Sequence, residues 1–356
     1  MSRGGNKKTI KIKFSLVTKY MTKSLIKDNV KKPKIKIVAI GGKACNILKR
    51  LNISLNDNPN VECVAIAKAG KIFNQVGAIQ KVELRTEKDL GELDERSQEK
   101  ISHNIIDEKK DEITKALAGG DILFVLGNLS NSMNTIQTER IITLGSSRNV
   151  PTIFFGSTPF SFEGEIQSAV AFQSRERMSH LVDTTIIVDN NKLLAQNINA
   201  SEALSMVDTL IENYVTALID IVDNFGVINV DFNDFKTTIA NAGEAFFNTA
   251  TGSEADVPQL LTDLFDHNYL DTGFDGMKKV IYVIKAGSDL STDTVEKIGQ
   301  AIYEKSGENS RIIFGVAHDS TMKEEIQITL IAGEVETRAV YTNNLMGVLE
   351  MSVPNA

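Results

Sequence analysis

Tryptophan is absent from this chain of 356 residues, and proline, histidine and cysteine are scarce, at six, four and two residues. No apolar run approaches the roughly 20 residues that cross a bilayer, so we expect no transmembrane helix. Cys45 and Cys63 have neither disulfide nor zinc spacing, and the four histidines are scattered. The sequence therefore predicts no metal site and fits a reducing, cytoplasmic setting.

Acidic residues are almost missing from the start of the chain. Residues 1–36 contain twelve Lys or Arg and the single acid Asp28, a net charge of +11. Since the whole chain carries −7, the remaining 320 residues carry −18. The apolar core of a secretory signal and the Arg and Ser enrichment of a transit peptide are also lacking.

This asymmetry predicts a basic N-terminal extension, residues 1–34, on an acidic body. Such an arm could touch an anionic membrane surface or the acidic face of another subunit, and this binding should weaken as salt rises. We do not expect a nucleic-acid partner. A solvated tail without a partner is the alternative that the sequence leaves open.

Short aliphatic runs alternate with helical patterns over residues 35–198. Runs of this kind are typical of strands that are buried on both faces, and their alternation with helices predicts a doubly wound, Rossmann-like parallel sheet. The expected strands are Ile35 to Ile40, Val61 to Ile66, Ile122 to Leu126, Thr152 to Phe155 and Thr184 to Val188.

A long central helix is expected over residues 199–225. Asn199 is a suitable N-cap with Glu202 three positions later, and an apolar stripe runs from Leu204 to Val222. Beyond it, residues 226–333 combine strand and helix patterns of a smaller α+β domain, and residues 334–356 form a short tail. The fold class is therefore α/β with two domains.

The segment that follows the long helix has the pattern Gly-x-x-Asn-x-Asp-x-x-Asp, with Asn229, Asp231 and Asp234 as its polar members. Two carboxylates three residues apart can polarise a water molecule only where a phosphate is presented to them. The pattern resembles the loop that FtsZ, the bacterial relative of tubulin, inserts into the GTP site of its neighbour. A plain helix-capping loop is the alternative, because Asp is a common N-cap.

Four further segments resemble FtsZ in order and spacing, so that the resemblance covers residues 35–333. They are Pro159 to Gly164, Asn190 to Leu194, Gly287 to Ser291 and Ile312 to Gly315. The resemblance implies an FtsZ/tubulin-like fold, in which a nucleotide domain is joined by a long central helix to a smaller domain.

The resemblance also implies a nucleotide site. Its candidate residues, by their match to the family, are Gly41, Gly42, Asn46, Thr135, Glu163, Asn190 and Asp208. Asn46, Asn190, Glu163 and Asp208 would contact the base or ribose, and Leu204 stands where many relatives have an aromatic residue. Ordinary helix caps and surface polar residues are the alternative for Asn46, Asn190 and Asp208.

The phosphate end departs from the family. The signature Gly-Gly-Gly-Thr-Gly-Thr-Gly falls on Ser130 to Ile136, where only Thr135 matches. Met or Ile in a left-handed conformation would cost on the order of 1–2 kcal/mol each, so we expect another loop shape. Ala67, Ala69 and Gln167 replace further polar family residues, and GTP or GDP binding, with Mg²⁺ only where GTP binds, should be greatly weakened.

Lys43 and Lys68 are expected near the vacated phosphate face. They could hold a phosphate as point charges, or they could pair with nearby acids and lock an empty pocket.

These observations predict a cytoskeletal or cell-division protein that forms head-to-tail filaments with itself or with a companion FtsZ. GTP hydrolysis by the chain itself would be weak or lost, as in a pseudo-GTPase. Two alternatives stay open, namely an active GTPase with a rebuilt phosphate loop and a structural filament that needs no nucleotide.

Overall fold

The computed structural model describes residues 32–335 with nine short gaps. The gaps are residues 56–57, 78–79, 86–93, 130–131, 146–149, 195–198, 224–227, 267–268 and 288–289. Most of the basic arm, Ser130, Asn131, Gly226 and the tail after residue 335 lie outside the described residues, so the predictions for them stay predictions.

The described residues form two sheets. The strands are β1 (Ile35–Ile40), β2 (Val61–Lys68), β3 (Gln80–Leu84), β4 (Ile122–Leu126), β5 (Thr152–Ser157), β6 (Thr184–Val188), β7 (Gly243–Glu244), β8 (Phe246–Ser253), β9 (Met277–Ala286), β10 (Arg311–His318) and β11 (Glu325–Val335). The larger sheet has the order β3-β2-β1-β4-β5-β6-β7, and all its neighbouring strands are parallel. The doubly wound sheet predicted from the sequence is confirmed.

Helices cover both faces of this sheet and connect the two sheets. They are α1 (Gly42–Leu55), α2 (Lys71–Gln75), α3 (Glu95–Asp107), α4 (Lys110–Leu117), α5 (Ser132–Gly145), α6 (Glu165–Leu181), α7 (Asn190–Leu194), α8 (Ala200–Asp223), α9 (Phe232–Ile239), α10 (Val257–Asp266) and α11 (Thr292–Lys305). None of the described helices is long and apolar enough to span a membrane.

Two hydrophobic cores enclose the larger sheet. Residues of β1 alternate between them, with Ile37 in one and Val38 in the other, and both side chains are fully buried. Burial on both faces explains why the sequence of these strands is almost continuously apolar. Cys45 and Cys63 belong to the first core, and burial raises the pKa of each thiol to about 11.

The long helix α8 joins the two halves of the molecule. The Asn199 side chain accepts a hydrogen bond from the Glu202 amide at 2.9 Å, and the Glu202 carboxylate accepts one from the Asn199 amide at 3.3 Å. This capping box confirms the predicted start of the helix. Tyr214 and Val215 are buried in the same core as Ile281 and Ile331 of the second sheet, so α8 packs against both sheets.

The smaller sheet has the order β10-β9-β11-β8. β10 and β9 are parallel, whereas β11 pairs antiparallel with both β9 and β8. Together with α10 and α11 it encloses a third core. The smaller mixed domain expected after the long helix is therefore present.

An ion-pair cluster ties α6 to the edge of the larger sheet. The guanidinium of Arg175 donates to the carboxylates of Glu244 in β7 and Asp271 in the loop that follows α10. The Arg175 side chain is only 17% exposed. A charge at that depth is stable only because both partners are in place.

The body begins before β1. The Lys32 ammonium lies 3.0 Å from a carboxylate oxygen of Asp223 at the end of α8. The Lys34 amide donates to Asp121 at 2.8 Å. Residues 32–34, which the sequence assigns to the basic extension, thus contact the folded body.

Candidate functional site

A cavity of about 360 Å³ opens where β1 and β4 lie side by side. The order of the parallel strands reverses at this point, which is where open α/β sheets bind ligands. Its polar side chains come from the helices α1, α7 and α8 and from Asn128, the residue that follows Gly127. The residues concerned are Lys43, Asn46, Asn128, Asn190 and Asp208.

One wall of the cavity is a hydrogen-bonded pair from two helices. The Asn46 side-chain amide donates to the Asp208 carboxylate at 2.7 Å. Burial raises the pKa of Asp208, and the bond from Asn46 and the charges of Arg50 and Lys43 oppose this shift. Arg50 itself is held on α8 by Glu212, 2.8 Å away. The pair therefore presents a fixed carboxylate to the cavity.

A second polar group in the cavity lacks a partner. Asn190, at the start of α7, is 3% exposed, and no described residue bonds to its side-chain Oδ1. A buried acceptor left unsatisfied costs roughly 1–3 kcal/mol. A hydroxyl or amino group of a bound molecule could remove that cost, so Asn190 is suited to contact a ligand.

We expect Asp208→Asn to stabilise the ligand-free protein slightly near pH 7. The pKa of Asp208 is raised in the fold, so its ionised form is disfavoured there, and its contribution to stability falls as the pH rises through the folded pKa. The asparagine side chain carries no charge, and its oxygen can still accept the hydrogen bond from Asn46.

Thermal unfolding of both proteins between pH 4 and pH 8 would measure this effect. The stabilisation should be about 2 °C or less and should vanish at the acidic end. A variant that is less stable than the parent at every pH would contradict the expectation.

The first turn of α5 lies beside Gly41. Gly41 has φ of 85°, and a Cβ placed on it would lie 3.7 Å from the Asn134 side chain. Thr135 is fully buried, and its hydroxyl donates to the Asn128 carbonyl at 3.4 Å. Residues 132–136 belong to the helix, so Met133 and Ile136 avoid the left-handed conformation. The Met133 sulfur accepts from the Ser102 hydroxyl at 3.1 Å, and Ile136 is buried.

The polar loop after α8 lies against the second sheet. Ile228 forms a β-bridge with Val316 of β10, and Asn229 and Asp231 are exposed. The Asp231 carboxylate caps α9 by accepting from the Asn233 amide at 2.8 Å. The Asp234 carboxylate accepts from Arg311 at 2.7 Å. The loop is therefore a cap and also an exposed acidic surface.

Helix α8 separates the cavity from this loop. Leu204 and Asp208, near its start, line the cavity, and the polar loop follows its last residue, Asp223. A helix of 24 residues is about 36 Å long at 1.5 Å per residue. The cavity and the acidic loop thus lie at opposite ends of one rigid element.

Comparisons with known proteins agree with this architecture. The sequence model of the Tubulin/FtsZ family, GTPase domain, matches residues 34–197, and that of the FtsZ family, C-terminal domain, matches residues 243–336. The cell division protein FtsZ of Wigglesworthia glossinidia brevipalpis is 25% identical over 308 residues, which are 84% of this chain and 78% of the relative.

Two solved structures share the fold. An empty FtsZ dimer from M. jannaschii has a TM-score of 0.74 at 21% identity and covers 91% of this chain and 92% of its own. A GTPγS-bound protofilament of CetZ2 from Haloferax volcanii has a TM-score of 0.71 at 16% identity and covers 89% and 98%.

The chain belongs to the FtsZ/tubulin family. Its larger domain is a Tubulin/FtsZ GTPase domain, the GTP-binding part of the family, and its fold is that of a divergent FtsZ. Which residues of this member contact a nucleotide stays a prediction.

The FtsZ-like fold brings together part of the predicted nucleotide site. Asn46, Asn190 and Asp208 line the same cavity, and Gly41 and Gly42 join β1 to the helix that carries Asn46. The nucleoside part of GTP or GDP fits these residues, because the Asn190 acceptor lacks a partner.

Two further predicted residues, Glu163 and Thr135, do not line the cavity, and their roles stay predictions. The Glu163 carboxylate accepts from the Phe160 amide at 2.9 Å and caps its own short turn. Thr135 points into the core. The described part of the FtsZ signature, residues 132–136, is helical and lacks the family glycines, so it offers no glycine loop to the triphosphate part of GTP. Weakened GTP binding stays a prediction.

Arg311 is the residue that the sequence reasoning missed. It lies at the start of β10, 77 positions after Asp234, and is bonded to it. No local pattern marks it, because an arginine at the start of an edge strand is an ordinary surface residue.

Lys43 and Lys68 make no ion pair with any described residue. The charge of Lys43 nevertheless acts on a nearby acid, because it opposes the rise in the pKa of Asp208, so both alternatives for these lysines stay predictions.

Proposed function

We propose that this protein is an FtsZ-like cytoskeletal or cell-division protein that assembles head to tail and binds and hydrolyses GTP weakly or not at all. The observation that carries the proposal is the difference between the two ends of the molecule. The acidic loop keeps Asn229, Asp231 and Asp234 exposed or half-exposed, whereas the start of α5 has Asn134 and Ile136 where the family has glycines.

The acidic end can act on a neighbouring subunit. Asp231 and Asp234 belong to one helix start, and each has one described hydrogen-bond donor, the Asn233 amide and Arg311 respectively. A carboxylate can accept up to about four hydrogen bonds. Both groups therefore keep acceptor capacity for a water molecule or a cation that a neighbour presents.

Head-to-tail contact through two different surfaces is heterologous, and such contacts produce open filaments when the rotation does not close. The length and packing of α8 hold the two surfaces at a constant separation. The partner is a second copy of this chain or a companion FtsZ that carries its own GTP.

Pelleting and negative-stain electron microscopy of the full chain, alone and mixed with an ordinary FtsZ, would test assembly. We expect filaments or co-pelleting in at least one of these mixtures. If the acidic loop acts in trans, addition of this chain should change the GTP turnover of the companion FtsZ.

The matched control is the double variant Asp231→Asn, Asp234→Asn, which keeps the shape of the loop and the N-cap of α9. In the mixture with a companion FtsZ it should still co-pellet but should not alter turnover. Monomers in every mixture, with unchanged turnover, would contradict the proposed function.

An active GTPase with a rebuilt loop is the alternative. It is favoured by the retained Asn46 and Asp208 pair and by the start of α5 beside the cavity, since a helix N-terminus attracts anions. The basic arm, which lies outside the described residues, is proposed as an electrostatic contact with an anionic membrane or with the filament, and loss of that contact at high salt would be its test.

A further inference from the structure

Three lysines without partners lie at the edge of the larger sheet where β1 and β2 end. Lys43 is in the first turn of α1, Lys68 is the last residue of β2, and Lys71 begins α2. Ile40 of β1 pairs with Ile66 of β2, so all three follow the same edge. None makes a hydrogen bond or ion pair with the described residues.

Several lysines elsewhere on the body do have acidic partners. Lys36, Lys279 and Lys285 each have a carboxylate within 4 Å. Of the three, Lys43 lines the cavity, where its charge opposes the rise in the pKa of Asp208. Unpaired cations of this density raise the local positive potential.

The surface at the opposite end of the molecule has the complementary charge. Asp231 is exposed, and its only described donor is a backbone amide of its own helix. Asp234 is half-buried beside Arg311. An acidic loop at one end and unpaired lysines at the other end of the same chain are complementary between successive copies.

We propose that Lys43 and Lys68 bind the Asp231 to Asp234 loop of a second copy directly, so that the contact along the filament is made by side-chain ion pairs without a nucleotide between the subunits. The inference rests on the proposed head-to-tail assembly and specifies its partner and chemistry. Lysine is suited to this contact because its ammonium is a point charge that does not require the shaped cradle of a phosphate site.

This contact would explain both the loss of the glycines from the phosphate loop and the presence of the lysines. In a nucleotide-bridged contact, the loop carboxylates face phosphates, and like charges must be separated by a cation. Without phosphates, unpaired lysines at the same edge provide the opposite charge themselves. The loss of the family glycines at Asn134 and Ile136 then has no cost for assembly.

The test uses charge reversal at both ends of the full chain. Lys43→Glu with Lys68→Glu places acids opposite the loop, and Asp231→Lys places a cation opposite the lysines. Each change alone should raise the concentration needed for assembly about tenfold or more. Because every copy carries both ends, the triple variant restores opposite charges and should assemble again.

The matched control is Lys100→Glu with Lys115→Glu, two exposed lysines on α3 and α4 that make the same change in net charge. It should assemble like the parent. Thermal unfolding would show that every variant is folded. Assembly of the nucleotide-free parent should also decrease steeply as salt is raised from about 0.05 M to about 0.5 M.

The outcomes separate the inference from the proposed function. A parent chain that never assembles contradicts the proposed function and the inference with it. A parent that assembles while both single-end reversals leave assembly unchanged, or a folded triple variant that fails to recover, contradicts the inference alone. Assembly that requires added inorganic phosphate or guanine nucleotide also contradicts it, because an anion would then bridge the two ends.

Discussion

Replacing Arg175 by alanine is expected to lower the free energy of unfolding by about 3 kcal/mol, near the lower end of the range measured when one member of a buried ion pair is removed. The guanidinium lies between Glu244 and Asp271, and the substitution leaves both carboxylates without their cation. Urea unfolding of the two proteins at pH 7 would measure the difference.

The matched control for this prediction is Arg177→Ala on the same helix. Arg177 pairs with Glu139, but its side chain is 44% exposed, and exposed ion pairs contribute about 1 kcal/mol or less. We therefore expect a much smaller effect. Equal effects of the two substitutions would mean that the Arg175 cluster is not a specific stabilising contact.

The pH dependence of the same variant follows from Asp271. Burial raises the pKa of Asp271, but the charge and hydrogen bond of Arg175, together with a hydrogen bond to Asp189 and the charge of Lys192, bring it below its ordinary value. A carboxyl group whose pKa is lower in the folded than in the unfolded protein stabilises the fold at any pH above its pKa in the unfolded protein. This stabilisation is lost as the pH falls through its pKa in the folded protein. The difference in the free energy of unfolding between the parent and Arg175→Ala should therefore become smaller below about pH 4.

The protein purified without added nucleotide is expected to contain little or no GDP or GTP, and its affinity for GTP should be at least about a hundredfold below that of an ordinary FtsZ. Each lost hydrogen bond to a charged group costs about 1.5–3 kcal/mol, and 1.4 kcal/mol is a factor of ten. Release and chromatography of bound nucleotide, with titration calorimetry, would measure both.

Restoring the loop should reverse this loss. A variant with Gly at 130, 131, 132, 134 and 136 and Thr at 133 recreates the FtsZ signature around Thr135. Because Ile136 is buried and its removal could unfold the protein, a second variant keeps Ile136. We expect either folded variant to bind GTP at least about tenfold more tightly than the parent.

The control for loop restoration is Asn134→Gly alone, which opens only the space beside Gly41 and should have a smaller effect. Stoichiometric GDP in the parent preparation, or GTP turnover that disappears in Asp231→Ala, would contradict the prediction. The active GTPase would then be the better account of this protein.

The sequence by itself determined the parallel sheet and the long helix. The strands β1, β4 and β6 occur at the predicted residues, because a strand buried on both faces needs a nearly continuous apolar run that can be recognised locally. The helix α8 can also be recognised from the local sequence, because its N-cap and apolar stripe are formed by residues that are close in the chain.

Three strands that are short or only partly buried were missed, namely β3, β7 and β8. β3 has the sequence QKVEL with only Val82 and Leu84 buried, and β8 at the edge of the smaller sheet is rich in Thr, Asn and Gly. β7 has two residues. Their pairing depends on the strand beside them rather than on their own composition.

Only the tertiary structure decided the details of the two ends. Asn46 and Asp208 are 162 positions apart, and Asp234 and Arg311 are 77 apart, so no local pattern encodes either bond. The unpartnered oxygen of Asn190 and the inward side chain of Thr135 likewise depend on how helices pack against the sheet. Sequence patterns specify elements through neighbouring residues, whereas site geometry is set by contacts that form only when distant segments are packed together.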